Sequence, residues 1–165
     1  MPYFPDLSPH WYPDPEPRTV NVGWLDPAHD YPKGDTSSEF KEKLEEMCAN
    51  APLRFLSLDS HTCLFCGLVS GNGEIRVGSG QFVFASPVMI VHYVTDHGYR
   101  PPEQFTLAVM QQRVRPNPKH RPGGAVCRRS ELPTADELAR MRERQREFDR
   151  ELSEHRKARF GDDAV

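Results

Sequence analysis

A chain of 165 residues, 37% hydrophobic and 27% charged, has material for one modest core and an appendage. Residues 1–50 carry four Lys/Arg against ten Asp/Glu, whereas residues 113–165 carry fourteen against ten, so an acidic beginning is set against a basic end. No run approaches the roughly 18 apolar residues of a membrane span, and MPYFPDLSPHWYPDP lacks the basic and apolar regions of a secretory signal, which points to the cytoplasm and no membrane partner.

Residues 1–18 read as a proline-rich arm, extended across the surface and anchored by Tyr3, Phe4, Trp11 and Tyr12. Thr19–Trp24 alternates, with Val20, Val22 and Trp24 on one face, and predicts a strand. After the turn-rich LDPAHDYPKGD, Thr36 and Glu39 have capping-box spacing and open a helix whose inner face is Phe40, Leu44, Met47 and Cys48. Cys48 is then a core residue, because free cysteine packs as a small hydrophobe.

Leu53–Leu58 predicts a short strand running into HTCLFCG. Glu74–Val77 and Gln81–Ala85 flank Gly78-Ser79-Gly80 and predict a hairpin. In PVMIVHYVTDHG the β-branched residues favour a strand. Ser86 as N-cap, Pro87 at the first helical position and Gly98 past the end favour a helix, and this punctuation decides. A further helix from Pro102 to Arg113 buries Phe105, Ala108 and Val109.

Residues 114–133 read as a basic, Pro/Gly-rich linker, and Thr134–Phe160 as a charged helix with Asp136 and Glu137 in its first turn. Leu138, Met141, Phe148 and Leu152 draw a heptad-like seam along it, interrupted by Gln145 and His155. That seam is the candidate surface for a protein partner or for self-association.

The pair Cys63-x2-Cys66 carries the chemistry. A redox pair wants its first cysteine at a helix N-terminus, but Gly67, Gly71 and Gly73 follow here. His92 and His97 lie beyond the hairpin on the predicted helix, and two thiolates with two imidazoles match a closed tetrahedral zinc site. Residues five apart lie about 140° apart on an ideal helix. The position of His97 directly before Gly98 lets a loosened last turn bring it back. His61 is an alternative ligand. Cysteines buried in the core, with histidines bonding to the helix end, make up the competing account. Catalytic zinc usually keeps an open position, and no nucleophile elbow, phosphate loop or His-x-Glu deaminase signature is present, so the metal is expected to be structural rather than part of an enzyme.

The fold expected is α+β: a zinc-stabilised domain over residues 19–113, made of a β-hairpin and short helices, with a separate charged helix over 134–160. "DLSP" at Asp6–Pro9, "VGWLD" at Val22–Asp26, the Cys63–Cys66 pair and "HYV…H.Y.PP..F" at His92–Phe105 together resemble an uncharacterised family of small bacterial proteins. The resemblance covers about the first 110 residues, departs slightly in reading Cys-Leu-Phe-Cys, and implies a coherent domain without implying a reaction.

The favoured function is a zinc-holding protein-interaction module, of an immunity, antitoxin or regulatory kind. The alternative is nucleic-acid binding through Arg113, Arg115, Lys119, Arg121, Arg128 and Arg129, and a zinc-dependent enzyme is the third reading. A pI of 6.2 and the lack of an aromatic residue between Val114 and Leu138 weigh against that alternative.

Overall fold

The computed structural model describes residues 2–11, 15–50, 61–113, 127–128 and 132–161. Tyr12 and the strand expected at Leu53–Leu58 lie outside them. The central sheet has the order β1-β5-β4, with β1 at Thr19–Asn21, β4 at Glu74–Ser79 and β5 at Phe82–Pro87. β4 and β5 form the expected antiparallel hairpin, and β1 joins β5 in parallel, Val20 opposite Phe84. The turn falls one residue later than the glycines suggest, with Gly80 supplying the positive φ of 57°.

β1 is shorter than its alternation predicts, and Thr19 and Asn21 are its buried side chains while Val20 is only half-buried. Two causes are visible. Gly23 takes φ +76°, which breaks the strand before Trp24. The N-terminal arm then runs along the free edge of β1 as a further partner: Leu7 N–H donates to Asn21 O at 2.7 Å, Asn21 N–H to Ser8 O at 2.9 Å, and His10 N–H to Thr19 O at 2.8 Å. Asn21 is fully buried because the arm satisfies it, its amide donating to Pro9 O at 3.1 Å and its carbonyl accepting from His10 Nδ1 at 2.8 Å. Phe4 and Trp24 pair across this edge with rings 5.5 Å apart.

Helix α1 (Ser38–Asn50) buries the four residues its periodicity marks, Phe40, Leu44, Met47 and Cys48. Its cap is Ser37 rather than Thr36, since Ser37 Oγ accepts from the Phe40 amide at 3.2 Å. The ambiguous segment is both things in succession. Ser86 and Pro87 end β5 instead of opening a helix, and α2 occupies Ile90–Asp96 with Met89 at its start and no side-chain cap. α3 spans Glu103–Gln111 and buries Phe105, Ala108 and Val109 as expected. α1 packs on α2 and α3, and α3 on β4, closing a core that includes Val22, Phe40, Leu44, Ile75, Phe84, Ile90 and Phe105. No described helix is long and apolar enough to cross a membrane.

A second small sheet, β2-β3-β6, carries the cysteines. β2 (His61–Thr62) pairs antiparallel with β3 (Val69–Gly71), and β3 with β6 (Cys127–Arg128), which falls within the stretch read as a linker.

The last helix, α4 (Ala135–Phe160), starts with a complete capping box: Thr134 Oγ1 accepts from Glu137 N–H, and Glu137 Oε2 accepts from Thr134 N–H at 2.8 Å. It lies on its own chain. Its covered positions are Leu138, Met141, Arg142, Gln145, Asp149, Leu152, Arg156 and Phe160, at helical spacing. Phe148, expected in the seam, is 39% exposed, while Gln145, expected to interrupt it, is the buried residue. The face that docks is partly polar, with Gln145 Nε2 donating to Asp149 Oδ1 at 2.8 Å, which is why apolar periodicity picks a neighbouring stripe. The acidic and basic ends meet here: Arg142 and Arg146 line a small cavity with Asp26, and Arg156 lies 5.5 Å from the Trp11 ring centre.

Candidate metal centre

Residues 63–67 fold into a tight knuckle between β2 and β3. Cys63 N–H donates to Val69 O at 2.8 Å, Gly67 N–H to Cys63 O at 2.7 Å, and Leu68 N–H to Cys66 Sγ at 3.4 Å. Gly67 turns the chain with φ +69°, a conformation that glycine adopts freely. The knuckle aims both sulfur atoms at α2.

From α2 come the two imidazoles. His92 is inside the helix and 4% exposed. His97 is at the C-cap with φ −112° and ψ 2°, and Gly98 follows at φ +62°. This loosened end removes the helical objection, because His97 is no longer bound to the 100° step and swings to the side of His92. Their Nε2 atoms are 3.1 Å apart. Cys63 Sγ is 3.3 Å from His97 Nε2, and Cys66 Sγ is 3.4 Å from His92 Nε2. All four ligand atoms lie within 4.8 Å of one another.

Such separations fit a common metal better than a set of hydrogen bonds. Zinc at about 2.3 Å from sulfur and 2.0–2.1 Å from nitrogen spaces tetrahedral ligands by about 3.3–3.8 Å. In a hydrogen-bonded cluster the Nε2–Nε2 contact of the two histidines would need its proton from an imidazole, and a neutral imidazole has only one, on one of its nitrogens. His92 spends that proton elsewhere, because its Nδ1 lies 2.9 Å from Asp96 Oδ2. The carboxylate fixes the tautomer that frees Nε2 for a metal, the arrangement found behind most histidine ligands. These four residues could therefore hold a metal ion, and their donor types suit one of zinc's kind.

Burial pushes the Cys63 thiol up to about 12, against backbone hydrogen bonds from Cys66 and Phe65 that pull the other way. That is the reverse of an activated redox thiol. Burial also lowers the His97 imidazole, which keeps it neutral. Around the cluster stand aromatic rings. Phe65, one of the two residues between the cysteines, is 5.1 Å from His97, 5.8 Å from Tyr93 and 5.3 Å from Tyr31. Tyr31 donates from its hydroxyl to His97 O at 3.2 Å and ties the loosened helix end to the loop before α1.

His61, the alternative ligand, sits in β2 opposite Gly71 and is not in the cluster. Of the basic residues named for nucleic acid, Arg113 is exposed just beyond α3 and Arg128 contributes its backbone to β6. Arg115, Lys119, Arg121 and Arg129 lie outside the described residues. Read from the sequence, Asp96 is an exposed carboxylate near the ligands, and its i to i+4 spacing from His92 was the signal of its role; the role of Phe65 depends on contacts between distant segments.

Fold and site define a small α+β domain in which a Cys2His2 cluster joins a knuckle to a helix end. Residues 2–110 match the family described as a domain of unknown function (DUF7919), and the chain belongs to that family. No curated protein matches the chain, and neither does any solved structure.

Proposed function

We propose that this protein is a non-catalytic zinc-binding interaction module of the bacterial cytoplasm, in which zinc holds the fold and the surface binds a protein. The convergence of Cys63, Cys66, His92 and His97 within 4.8 Å carries this reading. Four protein ligands fill a tetrahedral shell and leave no open position for substrate, the arrangement of structural rather than catalytic zinc. Bound there, the ion would supply cross-linking energy between the small sheet and α2. The residues around it do the positioning: Asp96 orients His92, Tyr31 holds the His97 backbone, and Phe65 covers the rings.

Elemental analysis of protein purified without added metal tests the reading directly. One zinc per chain, lost in Cys66→Ser, is the expected result. Less than a fifth of an equivalent of any metal, also after incubation with zinc, would sink it.

A further inference from the structure

Five consecutive residues, Cys63 to Gly67, divide their contacts between the ligand cluster and α4. The sulfurs of Cys63 and Cys66 face His97 and His92. Between them, Leu64 turns its backbone carbonyl outward and accepts a hydrogen bond from Arg142 Nε of α4 at 3.0 Å. Gly67 closes the knuckle against the beginning of the same helix, so tightly that a Cβ there would collide with Pro133 Cγ and stand 3.4 Å from Leu138 Cδ1. What α4 reads on this side of the domain is thus the course of a turn whose two anchor points are metal ligands.

We infer that metal loading and the docking of α4 are coupled, with the knuckle as the seat of the helix. The inference rests on the zinc reading above and adds regulation to it. A metal bound by Cys63 and Cys66 fixes the direction of the Leu64 carbonyl and the path of Gly67. Without it, the three-residue step between the two cysteines keeps only its hydrogen bonds and the ring contacts of Phe65 to hold its shape. A metal that favours the docked state must itself be bound more tightly when the helix is docked, because coupling between two sites is reciprocal.

The coupling has a second end. Farther along α4, Arg156 and Phe160 cover Trp11 of the arm, at 5.5 and 6.3 Å, above a cavity of about 570 Å³ that Phe4 and Leu152 also line. Release of the helix at the knuckle would uncover this aromatic face of the arm. Metal loading would then govern access to this face.

The test uses the full chain and two readouts. Zinc affinity is measured by chelator competition in the parent and in Arg142→Ala and Leu138→Ala, and hydrogen exchange of the residue 135–160 amides is followed with and without zinc. Amides of β4 and β5 report whether the domain stays folded. Both variants are expected to hold one zinc with affinity lowered about fivefold or more, and zinc is expected to slow exchange in α4 by a similar factor. Unchanged affinity in both variants would overturn the coupling while leaving the zinc site standing. If chelation also opens β4 and β5, the affinities decide alone, since they are read on the loaded protein. A parent that binds no zinc would overturn both this inference and the reading beneath it.

Discussion

His92 presents Nε2 to the ligand cluster and Nδ1 to Asp96, whose Oδ2 lies 2.9 Å away on the next turn of the same helix. One carboxylate therefore decides which ring nitrogen is available. Asp96→Ala should lower zinc affinity about 10–100-fold, the usual cost of losing such a partner. Chelator competition at pH 7.5 measures it, and an affinity within twofold of the parent would show that the imidazole needs no such orientation.

Chelation should expose how much of the fold the ion holds. A protein kept at about a thousandfold the dissociation constant in free zinc gains about 4 kcal/mol, and each kcal/mol is worth about 2–4 °C at this size. Removing zinc should then lower Tm by about 8–16 °C in calorimetry. Cys63→Ser should melt with the chelated parent and ignore the chelator; a mutant that melts with the loaded parent would make Cys63 an ordinary core residue.

Gly23 combines a φ of +76° with contact to the core, where an added Cβ would stand 2.9 Å from Ile90 Cδ1. Left-handed backbone alone costs an alanine about 1–2 kcal/mol. Gly23→Ala should therefore destabilise by more than that in urea titration, whereas Gly78→Ala, with nothing within 4 Å of its added Cβ, should cost less.

Acid should loosen the arm through His10. Arg76 can only donate, so its Nη2 at 3.2 Å assigns the acceptor role to His10 Nε2, and Nδ1–H then donates to Asn21. Burial lowers the folded-state pKa of this ring below its usual 6.5, with the positive charge of Arg76 acting in the same direction and Asn21 against. Protons bind the unfolded chain first, so stability is full above about pH 6.5 and falls as pH drops from there through the folded-state value. Urea midpoints between pH 7.5 and 5 should decline less steeply in His10→Asn than in the parent. Equal slopes would locate the acid sensitivity elsewhere.

The docked face of α4 predicts a contrast between neighbours. Phe148→Ser, at a largely exposed position, should change stability by no more than about 0.5 kcal/mol. Leu152→Ser, facing the arm, should raise exchange in the second half of α4 and shift Trp11 emission. If Phe148→Ser is the more disruptive of the two, α4 uses its other stripe.

The Cys/His cluster that could hold a metal was legible in the sequence because cysteine and histidine spacing is chemistry written locally. The core stripe of α1 was legible for the same reason, since Phe40, Leu44, Met47 and Cys48 recur at the period of their own helix. What escaped depends on distant segments. Asn21 is buried only because Ser8, Pro9 and His10 come to satisfy it, and no pattern within β1 announces that. Ser86 and Pro87 carry helix-opening chemistry but belong to β5, whose pairing with β4 extends through them. Gln145 is buried through a bond to Asp149 and a partner surface that apolar periodicity does not register.

One anchorage of the arm joins residues 93 positions apart: Tyr99 donates its hydroxyl to the Asp6 carboxylate, 2.8 Å from each oxygen. During synthesis, at about 5–20 residues per second, Tyr99 is made roughly 5–20 s after Asp6. Through that interval the Asp6 carboxylate lacks its Tyr99 partner. Closing so long a loop is an entropic cost met only when the rest of the core exists. Arm docking is then expected late in folding, and in refolding of Trp24→Phe the emission of Trp11 should settle after the far-ultraviolet signal of the helices.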